Sequence, residues 1–116
     1  MRTFLAILYA FVAYAYPAYN NNVPNGNQLP PNAIGLGHPN GVTRRYTSFA
    51  NSYVSHGRAW TPLLCMLDSD QDGQTNGLEM GDPCCKWKVG SVPLFTTGLS
   101  DPNNPMSTTQ HVNTSC

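Results

Sequence analysis

Between Arg44 and Ser55 the apolar positions are Tyr46, Phe49, Ala50, Tyr53 and Val54, at i, i+3, i+4, i+7 and i+8. That spacing draws one stripe along an amphipathic helix, predicted over about residues 44–56. Thr43 is expected to cap its start and Gly57 to end it. A second helix is predicted over about 61–67. Thr61-Pro62 offers an N-cap and a proline at the first helical position, and Leu63, Leu64, Met66 and Leu67 follow. Gly81-Asp82 and Pro83 stop anything helical within about one turn of Leu78-Glu79-Met80. Trp87, Val89, Val92, Leu94 and Phe95 predict one or two short strands around a turn at Gly90. From Tyr16 to Gly41 the chain is rich in Asn, Pro and Gly. Asn25-Gly26 and Asn40-Gly41 are turn dipeptides, and Pro30-Pro31 forbids a helix. A short strand is expected near Asn32–Leu36. Residues 101–116 are polar with Pro102 and Pro105, and read as a loose tail.

The first fifteen residues carry a different pattern. Arg2 precedes an apolar run too short to span a bilayer comfortably, and Ala13-Tyr14-Ala15 is an A-x-A cleavage site. Residues 1–15 are therefore expected to be a signal peptide, and the mature chain to begin at Tyr16. It would be secreted, with no membrane span left after cleavage. The 116 residues make one small domain at most, here expected over 16–100. Six basic residues balance six acidic ones without a basic run, which argues against an electrostatic nucleic-acid binder.

Export changes how the cysteines read. Cys65, Cys84, Cys85 and Cys116 form an even set, which in an oxidising compartment means two disulfides. A Cys84–Cys85 bridge would need a strained ring. Two connectivities remain, with Cys65 bonded to one member of the pair and Cys116 to the other. The tail is thus expected to be tied at Cys116. Asn113-Thr114-Ser115 is an N-glycosylation sequon.

The most specific pattern runs from Asp68 to Glu79, D-x-D-x-D-G with Glu at the twelfth place. Ca²⁺ is a hard cation that takes six to eight oxygens. Asp68, Asp70 and Asp72 stand at alternate positions of a curling loop, and Gly73 falls where it bends sharply. The Gln74 backbone carbonyl is expected at the seventh place. Asn76 stands at the ninth, and Glu79 closes the shell with two oxygens. No basic side chain lies among these twelve residues. A lone loop with its outgoing helix cut short by Gly81-Asp82-Pro83 reads as a structural site rather than a sensor. The expected fold is a small, irregular, loop-rich α+β domain. It combines two short helices, a calcium loop, one or two short strands and disulfide staples.

These residues resemble a known family. Leu64-Cys65, Asp68-Ser69-Asp70 through Asp72-Gly73, Thr75-Asn76-Gly77, Glu79, and Gly81-Asp82-Pro83 with Cys85 and Trp87 are similar to the temptin family. Tyr16-Pro17, Pro24-Asn25-Gly26, Gly37-His38-x-Asn40 and His56-Gly57-x-x-Trp60 also fit. The likeness covers most of residues 16–97, with 64–87 its specific part. It implies a secreted component of a water-borne molluscan pheromone that acts by binding other secreted proteins or a cell-surface receptor. It also implies a Cys65–Cys85 bridge around the acidic loop. The family's second pair uses a cysteine in the N-terminal proline-rich segment, where this chain reads Pro30-Pro31-Asn32-Ala33. Cys84 is expected to take its place as partner of Cys116.

An enzyme is not expected. Four of the six acidic residues belong to the loop, leaving Asp82 and Asp101, each beside a proline. No nucleophile-elbow pattern is present. The competing reading is a small secreted metalloenzyme with a transition metal on His38 and His56, with His111 as the third histidine. Trp60 and Trp87 read either as a ligand platform or as core residues flanking a disulfide.

Overall fold

The computed structural model describes residues 19–30, 32–39 and 45–116. The expected signal peptide and the expected cap at Thr43 lie outside the described residues. Helix α1 spans Ser48–Ser55. It starts later than its apolar stripe suggests because Thr47 is extended (φ −71°, ψ 166°) and its hydroxyl accepts the Ala50 N–H at 3.1 Å. Tyr46 therefore falls outside the helix, where its ring stacks on His38 at 5.0 Å between centroids. Phe49, Ala50 and Tyr53 are buried, while Val54 is exposed. At the other end Gly57 is left-handed (φ 81°). Its N–H reaches Val54 O at 3.2 Å and that of Arg58 reaches Tyr53 O at 2.9 Å. This is the paired bonding of a Schellman motif, which satisfies the last carbonyls of the helix.

Helix α2, Pro62–Met66, is capped by Thr61, whose hydroxyl accepts Leu64 N–H at 3.1 Å. Helix α3, Asn76–Met80, is the short outgoing helix of the loop, a third helix beyond the two expected in the fold. Thr75 caps it, and Gly81 ends it in the left-handed region at φ 90°. Gly77 faces the disulfide so closely that a Cβ would meet Cys65 Sγ and the Asp82 carbonyl. Helices α2 and α3 pack on each other, with Leu64, Cys65 and Met80 fully buried. Val23, Phe49 and Tyr53 complete the core, and Leu36 and Trp60 pack on its edge.

No strand forms among the described residues. Near 32–36 the backbone finds side-chain partners instead. Ile34 N–H donates to Asp101 Oδ2 at 2.8 Å, and the Thr47 hydroxyl donates to Leu36 O. Around Gly90 the expected turn is present, with Ser91 N–H on Lys88 O at 2.9 Å. Trp87 Nε1–H donates across it to Ser91 O at 2.7 Å. Val89, Val92 and Leu94 are exposed there, so no sheet face is buried, and Pro93 has no N–H to give a ladder.

The loose tail is also corrected. Asp101 is 1% exposed and Pro102 is fully buried. Asn103 Oδ1 accepts Phe49 N–H at 2.8 Å, and its Nδ2 donates to Gly35 O at 3.1 Å. The polar composition of this stretch therefore serves the interior. Its side chains supply hydrogen bonds to buried backbone that forms no ladder.

Cys65 is bonded to Cys85, with Cα atoms 5.7 Å apart, and Cys84 to Cys116, at 5.5 Å. The first encloses the acidic loop; the second ties Cys116 to Cys84, beside the first bridge. In the chain-entropy picture loops of this length are worth about 3–4 kcal/mol each.

Candidate functional site

The acidic loop leaves α2 at Asp68 and enters α3 after Thr75. Its curl is made by left-handed Gln71 (φ 59°) and Gly73 (φ 89°). Asp68 accepts backbone N–H groups on both oxygens, from Asp72 at 3.2 Å and Gly73 at 2.7 Å. Asp72 Oδ1 accepts Gln74 N–H at 2.8 Å. Carboxylate oxygens of Asp68, Asp70 and Asp72 lie within 4.8 Å of one another.

Glu79 projects from α3 and is fully buried. Its Oε1 accepts the Ser100 hydroxyl at 2.9 Å. Its other oxygen, both oxygens of Asp70, and Asp72 Oδ2 are buried with no hydrogen-bond partner. Buried polar atoms are normally satisfied, so four orphaned carboxylate oxygens in one loop demand a reason. Burial pushes the Asp70 carboxyl up to about 7, helped by the neighbouring charges of Asp72 and Asp68. Burial likewise pushes Glu79 up to about 9. The Ser100 hydroxyl opposes that shift, and the charges of Asp70 and Asp72 add to it. Asp68 is also desolvated, but the N–H groups of Gly73 and Asp72 outweigh this and hold it below the usual value. Unpaired hard oxygens with raised protonation tendency have the donor chemistry of a cation site.

The other expected ligands are placed as follows. Asn76 is fully buried; its Oδ1 accepts Ser69 N–H at 3.3 Å and its Nδ2 donates to Leu64 O at 3.0 Å. It clamps both ends of the loop, and its oxygen keeps a second lone pair. The Gln74 side chain pairs with the tail: Nε2 donates to Thr109 O and Oε1 accepts Thr109 N–H, both at 2.8 Å. The sequence had offered only the carbonyl of Gln74. Glu79 and Gln74 thus carry the loop's two anchors on the 100–109 segment.

Sequence reading missed Asp82. Its buried carboxylate accepts Trp60 Nε1–H at 2.8 Å, Lys86 N–H at 2.9 Å and Trp87 N–H at 3.1 Å. The Asp-Pro turn signal at 82–83 was the available hint. The three histidines do not converge. Ring nitrogens of His38, His56 and His111 bond the carbonyls of Arg45, Ser52 and Thr97 respectively. Among the described residues the three aspartates are the group that clusters with metal-ligand geometry.

A carboxylate loop set between two capped helices, enclosed by one disulfide and moored by another, defines a small cystine-stapled domain built on turns rather than a sheet. The temptin C-terminal domain family matches residues 13–104. The chain is 42% identical over 110 residues to Temptin of Aplysia californica, covering 88% of each chain. The chain belongs to the temptin family, and it is a secreted, extracellular protein. Two disulfides suit that oxidising setting. No solved structure matches it. Among the described residues, no helix is long and apolar enough to cross a membrane.

Proposed function

We propose that this protein is a pheromone-associated signalling protein. It acts by binding other secreted proteins or a cell-surface receptor, on a scaffold stiffened by one calcium ion. Asp68, Asp70, Asp72 and Glu79 supply the carboxylates, the Gln74 carbonyl the seventh-place oxygen, and Asn76 a neutral oxygen. The observation that carries the calcium reading is the set of four buried, unpartnered oxygens on Asp70, Asp72 and Glu79. Mg²⁺ fits less well, because it demands a small octahedral shell and holds its waters. The ion would offset the mutual repulsion of the loop. At tenfold excess over its dissociation constant it would add about 1.4 kcal/mol of stability.

The role is binding rather than catalysis. The acids are engaged in the loop or as acceptors of backbone and indole N–H groups, and each histidine ring bonds a different backbone carbonyl. Asn113 is exposed and is proposed to carry an N-linked glycan, which a mass shift on glycosidase treatment would reveal. Calorimetric titration of metal-free protein with calcium tests the ion. Heat of binding and a rise in melting temperature are expected, and a flat titration with an unchanged melting temperature sinks the reading. Capture of secreted partners on immobilised protein, with and without chelator, tests the binding role. A partner whose capture weakens with chelator is expected, and no capture in either condition removes that role.

A further inference from the structure

Trp60 and Trp87 are the chain's two tryptophans, and they share a cleft that neither the core nor the acidic loop uses. It has a volume of about 390 Å³ and is also lined by Arg58, Lys88 and Val89. That volume falls within the usual range for ligand sites, about 300–1,000 Å³. Both indole N–H groups are already bonded, Trp60 to Asp82 and Trp87 to Ser91. What the rings offer a ligand is therefore apolar surface. Asp82 accepts from the Trp60 indole and from the Trp87 backbone, so one buried carboxylate positions both residues. Trp60 is further fixed against Phe49, with centroids 6.4 Å apart. The walls are preorganised, which lowers the ordering cost of binding.

The rim has one sign of charge. Arg58 and Lys88 are exposed, and among the described residues neither pairs with a carboxylate. All six acids are committed elsewhere: four to the loop, Asp82 beneath the tryptophans on three N–H donors, and Asp101 on Ile34 and Asn103. Arg58 also holds a left-handed backbone (φ 55°) directly after the left-handed Gly57. A long side chain in that region is unfavourable, and such strain concentrates at binding sites. Val89, two-thirds exposed, extends the apolar wall outward.

We infer that this cleft is a docking site for an acidic, apolar peptide segment of a partner protein, with an aliphatic side chain against Trp60 and Trp87 and flanking carboxylates on Arg58 and Lys88. The inference deepens the protein-binding reading above and rests on it. The charge complementarity of an uncompensated cationic rim over an apolar floor selects this occupant.

Because both tryptophans line the cleft, intrinsic fluorescence reports it directly. Three capped synthetic peptides serve as probes: Asp-Leu-Glu-Leu-Asp, its neutral isostere Asn-Leu-Gln-Leu-Asn, and the non-apolar Asp-Ser-Glu-Ser-Asp. The first is expected to shift tryptophan emission saturably. The other two are expected to bind about tenfold more weakly or worse, the scale of losing two rim charges or the apolar anchor. The exposed-site double variant Arg58→Ser, Lys88→Ser is expected to lose about tenfold for the first peptide while keeping its melting temperature. Raised salt is expected to weaken binding in the native protein only. The inference is overturned if the three peptides bind alike, if the double variant binds the first as tightly as native protein, or if emission stays flat to millimolar peptide. A flat titration beside chelator-sensitive partner capture overturns the cleft alone; failure of both overturns the binding role as well.

Discussion

Asp70 and Asp101 are both drawn inward in a polar stretch of chain, yet their surroundings are opposite. Asp101 accepts Ile34 N–H on one oxygen and Asn103 N–H on the other. Asp70 has two buried oxygens and no donor for either. Asp82 belongs with Asp101, with three N–H donors converging on it. Glu79 belongs with Asp70, with one oxygen satisfied by Ser100 and one bare. A carboxylate that is fully hydrogen-bonded is a structural part, holding backbone that would otherwise be unpaired. One that is buried and bare has the donor chemistry that the proposed cation would use. The 100–109 segment and the acidic loop therefore differ, one closing the fold through satisfied carboxylates and the other gathering bare ones.

The largest expected effect tests what holds both regions. Removing the bridge in Cys65→Ser, Cys85→Ser should cost about 3 kcal/mol and leave the acidic loop open, as urea unfolding with and without calcium would measure. Next, Asp82→Ala should cost about 2–3 kcal/mol by orphaning three donors, equally with calcium and without it. A calcium-dependent loss at Asp82 would break the comparison. Asp70→Asn should do the reverse. It should raise the stability of metal-free protein by about 1 kcal/mol, by relieving like charge, and abolish the calcium-induced rise in melting temperature.

The last test is pH. In metal-free protein the folded state keeps protons on Asp70 up to about 7 and on Glu79 up to about 9, against ordinary values of 3.8 and 4.5. The folded state thus binds more protons than the unfolded one in this window, and stability falls as pH rises. The loss should begin above the ordinary carboxylate values and continue through about 7 and then about 9. A fall in melting temperature between pH 5 and 8 is expected, and saturating calcium should flatten it. A metal-free profile that rises with pH would show that these carboxylates are not held apart from donors.

Local signals carried what the sequence by itself determined. The clustering of the acidic loop was legible because its aspartates stand at alternate positions around Gly73 within twelve residues, and the structure brings Asp68, Asp70 and Asp72 together. The start of α2 was legible because Thr61-Pro62 acts on its own turn. The core stripe at Phe49, Ala50 and Tyr53 followed from helical periodicity, although its flanks at Tyr46 and Val54 did not stay buried. Helix α3 was legible only by its stop at Gly81-Asp82-Pro83, because five residues are too few to show a period.

Only the tertiary structure could decide the rest, because it depends on side chains meeting backbone far away in sequence. The Asn25 amide donates to Met80 O and to Phe95 O, both at 2.8 Å, across 55 and 70 residues. Asn103 completes the N-terminus of α1 from 54 residues downstream. Such bonds replace the strands expected near 32–36 and 87–95, and they turn an apparently loose tail into a clamp. They have no periodicity and no fixed spacing, so no linear pattern announces them. They form because, in a chain with little regular structure, each buried backbone group must still find a partner.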